Sequence, residues 1–131
     1  MASVIGSSKI DQMKDYKKLL IWQKGMDLVE EVYRIAASLP MEEKYGLRSQ
    51  ATRAAVSIVL NIAEGSAKSS RKDYRNYLEI SLGSAFELET VLLVMIRLKL
   101  VADANAITLI EEVLREQRMI NALINKLKAD D

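Results

Sequence analysis

The chain has 131 residues, a formal net charge of +1, and neither cysteine nor histidine. Its length fits one domain. The lack of cysteine excludes disulfides, thiol catalysis and zinc–thiolate sites, and the lack of histidine removes the commonest acid–base group and metal ligand. Half of the residues are hydrophobic and only one is proline, and this composition favours helices. The longest apolar run, Val91–Ile96, is far shorter than the roughly 20 residues of a membrane span.

The first residues, MASVIGSSKIDQMK, lack the continuous apolar core of a secretory signal. We therefore predict a mobile leader over residues 1–18 of a cytoplasmic protein, followed by one helical domain over residues 19–129.

The first predicted helix covers residues 20–38 and ends before Pro40, because proline disfavours a helical conformation in the residue before it. Its apolar residues advance by four and three positions, the spacing of one helical face. They are Trp22, Met26, Val29, Tyr33 and Ala36.

The second predicted helix ends near Glu64, where Gly65 can take the left-handed conformation that closes a helix. Its core face, with the same spacing, contains Leu47, Ala51, Ala54, Ala55, Ile58 and Ile62. Ser70 precedes Asp73 by three residues, which resembles a capping box and predicts that the third helix begins at Arg71.

The third predicted helix has a core stripe of Tyr74, Leu78, Ser81, Ala85, Leu88, Leu92 and Met95. Small residues within it, Gly83 and Ser84, indicate the close approach of a neighbouring helix.

Asp103 is a suitable N-cap for the fourth predicted helix. The predicted core face of that helix contains Ile107, Ile110, Leu114, Gln117, Ile120, Ile124 and Leu127. Its predicted solvated positions are Glu111, Glu112, Arg115, Glu116 and Arg118. Four stripes, three short connections and no strand signal predict an all-α fold, an antiparallel up-down-up-down four-helix bundle.

Two helices carry more apolar surface than one bundle can bury. Val56 and Leu60 project from the back of the second helix, and the run that includes Leu93 and Ile96 is apolar in every direction around the third. We predict that these four residues lie in an oligomer interface. The alternative is that they are scattered surface residues that need no partner.

The segment from Lys44 to Arg75 holds seven basic and two acidic residues, an excess of five positive charges, whereas the rest of the chain has an excess of four negative charges. Such segregation favours a site for nucleic acid, because Lys and Arg displace counterions from phosphates. The predicted nucleic-acid-binding residues are Arg48, Arg53, Lys68, Arg71, Lys72 and Arg75. An acidic protein partner and an ordinary solvated surface are the alternatives. Tyr74 and Tyr77 are near enough to stack on bases, but their spacing favours the core.

No residue set points to catalysis. Asn61 and Glu64 are polar residues beside an apolar face, with no nucleophile–base pair near them in sequence. We interpret them as local hydrogen-bonding and charge-pairing residues. We expect no enzyme activity, cofactor or metal; a buried cluster of Glu64, Asn61 and a tyrosine would be the best sign of an enzyme.

Several blocks of residues occur in an order that resembles one family. They are Trp22–Lys24, Tyr45–Gln50, Arg53–Ile58, Asn61–Gly65, Tyr74, Tyr77–Leu78 and Gly83–Thr90. Together they resemble the 23S ribosomal RNA intervening-sequence proteins, a family of four-helix bundles. This chain departs from the family pattern at Val59 and Leu60, where proline and a small residue are typical, so the second helix should run straighter.

The resemblance implies a bacterial, cytoplasmic, non-enzymatic protein that assembles as a homopentameric ring. Related bundle proteins are accessory factors of diversity-generating retroelements, where they bind the reverse transcriptase and nucleic acid. The combined prediction is an oligomeric adaptor that binds RNA or DNA through the basic residues, accessory to a reverse transcriptase. The alternative is a protein-only oligomeric scaffold without nucleic-acid binding.

Overall fold

A computed structural model describes residues 15–129; residues 1–14, most of the predicted leader, and residues 130–131 lie outside the described part. The helices are α1 (Leu20–Ala37), α2 (Leu47–Ser66), α3 (Arg71–Arg97) and α4 (Asp103–Ala129), with short 3₁₀ turns at Tyr16–Lys18 and Met41–Glu43. Residues 15–129 contain no strand. The predicted all-α class and the number of helices are confirmed.

Each helix packs against two others around a common core. Helix α1 contacts α2 and α4, and helix α3 contacts the same two. The fully buried side chains are mainly aliphatic: Val32, Ile58, Ile62, Leu78, Leu88, Leu92, Met95, Val113 and Ile120. Burial of these side chains holds the helices together, since burying one aliphatic side chain contributes about 1.5–3 kcal/mol.

The predicted core face of α1 is wrong by one position. The buried residues are Ile21, Gly25, Leu28, Val32 and Ala36. Of the predicted stripe only Ala36 is buried; Trp22 and Val29 are half-buried, and Met26 and Tyr33 are exposed. The predicted and the observed stripe both have helical spacing and lie about 100° apart around the axis. The periodicity of the sequence is therefore equally consistent with either stripe. Packing against α2 and α4 selects the one that contains Gly25.

The core stripe of α3 is confirmed at all seven positions. In α4 the prediction holds from Gln117 onward and fails in the first half, where Ile107 is exposed and Ile110 and Leu114 are half-buried. Ala106 and Leu109 take the core positions there.

The start of α3 is confirmed in atomic detail. Its N-cap residue is Ser70, whose Oγ accepts a hydrogen bond from the Asp73 N–H at 3.1 Å. Asp103, predicted as a cap, is instead the first residue of α4. Between α3 and α4 the chain turns through Lys99, which has a positive φ of 57°.

Gly65 does not end α2 as predicted, because the helix continues through Ser66 and the cap residue Ala67 is right-handed. Gly65 instead allows α3 to come close. A Cβ atom at this position would lie 2.8 Å from the Cβ of Tyr77 and 3.3 Å from the carbonyl oxygen of Tyr74.

The predicted close approach at the middle of α3 is correct for Ser84 and wrong for Gly83. The Ser84 hydroxyl is 2.8 Å from that of Ser57 on α2, and the Ser81 hydroxyl donates to the Ile58 carbonyl at 2.8 Å. Gly83 is exposed, and a Cβ there would meet no atom within 4 Å. The serines, one turn apart, form the polar contact between α2 and α3.

Candidate nucleic-acid interface

Four of the six predicted nucleic-acid-binding residues lie together at the connection between α2 and α3. We call this set the basic turn: Lys68, Arg71, Lys72 and Arg75. The connection is short because α2 ends at Ser66 and α3 begins at Arg71. The Lys68 ammonium lies 4.9 Å from the centre of the Tyr77 ring, a cation–π contact.

The other two predicted residues lie elsewhere on α2. Arg48 is in its first turn, about 30 Å from Lys68 at 1.5 Å per residue. Its Nη2 donates to the Leu39 carbonyl at 2.9 Å, so the guanidinium binds the chain just after α1. Arg53 is exposed and lines a shallow groove with Tyr33 and Leu60. The structure therefore does not bring all six residues into one surface.

The basic turn has basic neighbours from α4 that the sequence analysis missed. Arg75 Nη1 donates to the Leu127 carbonyl at 3.4 Å, a long hydrogen bond that places the last turn of α4 beside the basic turn. That last turn carries Lys126 and Lys128. Counting charge along one contiguous segment could not find them, because they are more than 50 residues away in sequence.

Two more lysines, Lys17 and Lys18, lie in the 3₁₀ turn before α1. This turn packs against α1 and α2. The Tyr16 and Trp22 rings pack in a T-shaped arrangement with centres 5.4 Å apart, and Gln23 Nε2 donates to the Lys17 carbonyl at 2.9 Å.

The four residues predicted to form an oligomer interface lie in two separate places. Leu60, 58% exposed, and the half-buried Val56 line the shallow groove with Tyr33. Leu93, 49% exposed, and the half-buried Ile96 line a second groove on α3. Both grooves present aliphatic side chains to the outside of the bundle.

Asn61 has the local role expected of it. Its Nδ2 donates to the Ser57 carbonyl at 2.8 Å and is 3.0 Å from the Ser57 hydroxyl. It therefore completes the polar contact between Ser57 and Ser84. Glu64 is exposed one turn later and is not among the ion pairs of residues 15–129, so the predicted charge pairing is not seen there.

Glu116 was predicted to be solvated, and that prediction is wrong. It is 1% exposed, and neither carboxyl oxygen has a hydrogen-bond partner in the described part of the chain. A Cβ at Gly25 would lie 3.0 Å from its Oε2, so the carboxyl occupies the space that this glycine leaves. Burial raises the pKa of Glu116 to about 8 by making the charged carboxylate less favourable.

The Tyr74 hydroxyl is also buried without a hydrogen-bond partner among residues 15–129. Burial raises the pKa of Tyr74 to about 12. Tyr74 therefore belongs to the core, as its spacing predicted, and offers no ring face to a ligand.

No helix in the described chain is long and apolar enough to cross a membrane. Within the same residues, no three acidic side chains lie close enough together to hold a metal ion.

Comparison with known proteins identifies the family. The chain resembles a structure from Bacteroides thetaiotaomicron, described as a protein of unknown function from the S23 ribosomal protein family, with a TM-score of 0.75 and 24% identity. The match covers 80% of this chain and 98% of that one and supports the fold. No curated protein matches the chain. Residues 17–122 match the sequence model of the 23S rRNA-intervening sequence proteins. The chain therefore belongs to the 23S rRNA-intervening sequence protein family.

Proposed function

We propose that the protein is a non-enzymatic, oligomeric adaptor that binds RNA or DNA through one end of an up-down-up-down bundle. Contacts between α1 and α2 support the arrangement of the helices. Gly25, early in α1, lies against Val59, late in α2, whereas the Leu39 carbonyl, just after α1, accepts from Arg48 at the start of α2. These pairs support an antiparallel arrangement of α1 and α2.

The remaining contacts have the same order. Gly65 at the end of α2 lies against Tyr77 near the start of α3, and Ser57, two turns earlier, meets Ser84. Arg75 near the start of α3 reaches Leu127 near the end of α4. If successive helices run in opposite directions, the start of α1, the basic turn and the end of α4 lie at the same end of the bundle.

We call this end the basic end. Its eight basic residues are Lys17, Lys18, Lys68, Arg71, Lys72, Arg75, Lys126 and Lys128. The described residues of the same segments contain three acidic ones: Asp15, Glu64 and Asp73. The excess of five positive charges among the described residues of these segments is the observation that carries the proposal. Clustered Lys and Arg bind phosphates by releasing counterions, so the affinity should fall steeply with salt.

Charge reversal at the basic end tests this. In the double variant Lys72→Glu/Lys126→Glu, the affinity for a fluorescent 20-nucleotide RNA at low salt is expected to fall at least about tenfold. The slope of log affinity against log salt should become smaller by about 1 to 2 as phosphate contacts are lost. Fluorescence anisotropy measures both quantities.

The matched control is Lys44→Glu/Lys99→Glu. It changes the net charge by the same amount, and Lys44 and Lys99 are exposed, as Lys72 and Lys126 are. Lys44 and Lys99 lie in the connections that follow α1 and α3, away from the basic end and outside both apolar grooves, and are expected to matter little. Equal loss of affinity in the two double variants would show that only net charge acts and would contradict the proposed site.

We further propose that the protein assembles as a closed ring of five copies. Two different apolar grooves, one with Val56 and Leu60 and one with Leu93 and Ile96, suit a head-to-tail contact between neighbouring copies. Contacts of this kind close into rings when the rotation between copies allows it. A ring would present several basic ends together, so that weak single contacts add.

Light scattering tests the assembly. Five copies of 14.7 kDa give about 74 kDa for the native protein. Leu60→Glu and Leu93→Glu should each reduce the mass toward that of one copy, because each places a charge in one half of the contact. Ile107→Glu, at an exposed aliphatic on α4, should not. A native mass of 14.7 kDa at micromolar concentration would contradict the ring.

Bundle proteins related to this family are accessory factors of retroelements, and we extend the proposal on that ground to a reverse transcriptase as protein partner in the bacterial cytoplasm. A reverse transcriptase gene next to this one, and co-purification of the two products, would support that extension. The competing function is a protein-only scaffold, for which an acidic partner would occupy the basic end. A scaffold predicts no salt-sensitive binding of RNA or DNA at any concentration at which the partner binds.

A further inference from the structure

We propose that the basic end binds single-stranded rather than duplex nucleic acid, with the rings of Tyr16 and Tyr77 as platforms for bases. This inference rests on the proposed function. Two lysine–tyrosine pairs carry it: Lys68 Nζ lies 4.9 Å from the centre of the Tyr77 ring, and Lys17 Nζ lies 5.9 Å from that of Tyr16. Each pair puts a cation beside the ring of a half-buried tyrosine.

A single strand can use both members of such a pair. Its phosphates attract the ammonium, and its unpaired bases have free faces that stack on an aromatic ring. As a base stacks, the lysine that covers the ring moves to the neighbouring phosphate, so that the cation keeps a partner. A duplex offers phosphates only, because its base faces are covered within the stack and reach a protein ring only by flipping out.

The two rings are also held in place. Tyr16 packs against Trp22 in a T-shaped arrangement, and the Cβ of Tyr77 rests where Gly65 lacks a side chain. A ring that is already fixed loses little conformational freedom when a base stacks on it.

A third pair provides a control within the same chain. Lys44 Nζ lies 5.4 Å from the centre of the Tyr45 ring, and this ring is 87% exposed. The pair has the same local chemistry and is even more accessible, but it follows α1, away from the basic end.

The experiment compares three probes: a 12-nucleotide single-stranded RNA, the same strand annealed to its complement, and a strand of equal length with abasic positions. The native protein is expected to bind the single strand at least about tenfold more tightly than the other two. Tyr16→Leu and Tyr77→Leu should each weaken binding of the single strand about tenfold and leave duplex binding unchanged. Tyr45→Leu should change neither affinity.

Two further comparisons guard against a misfolded variant. The Tyr77→Leu variant keeps a Cβ atom packed against Gly65. The Tyr77→Phe variant keeps the aromatic ring and should therefore retain the native affinity for the single strand. Equal affinity for single strand and duplex, or a Tyr77→Leu variant that behaves like Tyr45→Leu, would overturn this inference and leave salt-sensitive binding at the basic end intact. Absence of binding to all three probes would overturn the proposed function as well.

Discussion

Replacing Glu116 by methionine is expected to stabilise the protein, and the gain should grow by about 4 kcal/mol between pH 5 and pH 9. Burial raises the pKa of Glu116 from 4.5 to about 8 in the folded protein. Between these values the folded state keeps a proton that the unfolded chain has released. The free energy of unfolding of the native protein therefore falls as pH rises through this window, and it levels off above pH 8.

Methionine has a similar volume and no group to ionise, so this contribution to the pH dependence disappears. Few other groups titrate between pH 5 and pH 9, because the chain has neither histidine nor cysteine. Urea denaturation followed by circular dichroism at one protein concentration measures the difference.

Glu111→Met is the matched control, since Glu111 is an exposed carboxylate on the same helix. It should change the free energy of unfolding by no more than about 0.5 kcal/mol at either pH. If Glu116→Met gave the same stability difference at pH 5 and pH 9, the carboxyl of Glu116 would not be the buried neutral acid that the structure indicates.

Gly65→Ala is expected to lower the free energy of unfolding by about 2 kcal/mol, although alanine is the better helix former by about 1 kcal/mol. The new Cβ would lie 2.8 Å from the Cβ of Tyr77 and 3.3 Å from the carbonyl oxygen of Tyr74. Both atoms are fixed to the backbone of α3 and cannot rotate away. Helices α2 and α3 would have to move apart, which would weaken their packing.

Gly83→Ala is the control for this effect. Gly83 lies in the middle of α3, is exposed, and has no atom within 4 Å of the added Cβ. Helix propensity then acts alone, and a gain of about 1 kcal/mol is expected. Urea denaturation of both variants checks the pair. A stabilising Gly65→Ala would show that α2 and α3 are less closely packed than the structure describes.

Val59 and Leu60, at the positions where the resemblance led us to expect proline and a small residue, lie on two different surfaces. Val59 is buried, and its Cγ1 would lie 2.6 Å from a Cβ at Gly25, so it fills the contact between α1 and α2. Leu60 is exposed in the shallow groove. Without a proline, α2 is uninterrupted from Leu47 to Ser66. Val59 therefore belongs to the core, and Leu60 belongs to the proposed subunit contact.

The sequence by itself determined the features that depend on nearby residues. Helical spacing predicted four helices and the entire core stripe of α3, and Ser70 with Asp73 predicted where α3 begins. These features are local because a cap and an amphipathic stripe act within a few turns. The basic turn could also be found in this way, since its four residues lie within eight positions.

Only the tertiary structure decided which face of α1 is buried, why Gly65 is needed, and where Glu116 lies. Each answer depends on a neighbouring helix: α2 and α4 select the stripe with Gly25, α3 occupies the space beside Gly65, and Gly25 leaves room for the Glu116 carboxyl. Lys126 and Lys128 join the basic turn through the contact of Arg75 with Leu127. A period of 3.6 residues shows that a helix has an apolar face, but adjacent faces can satisfy it equally well, and only packing between helices distinguishes them.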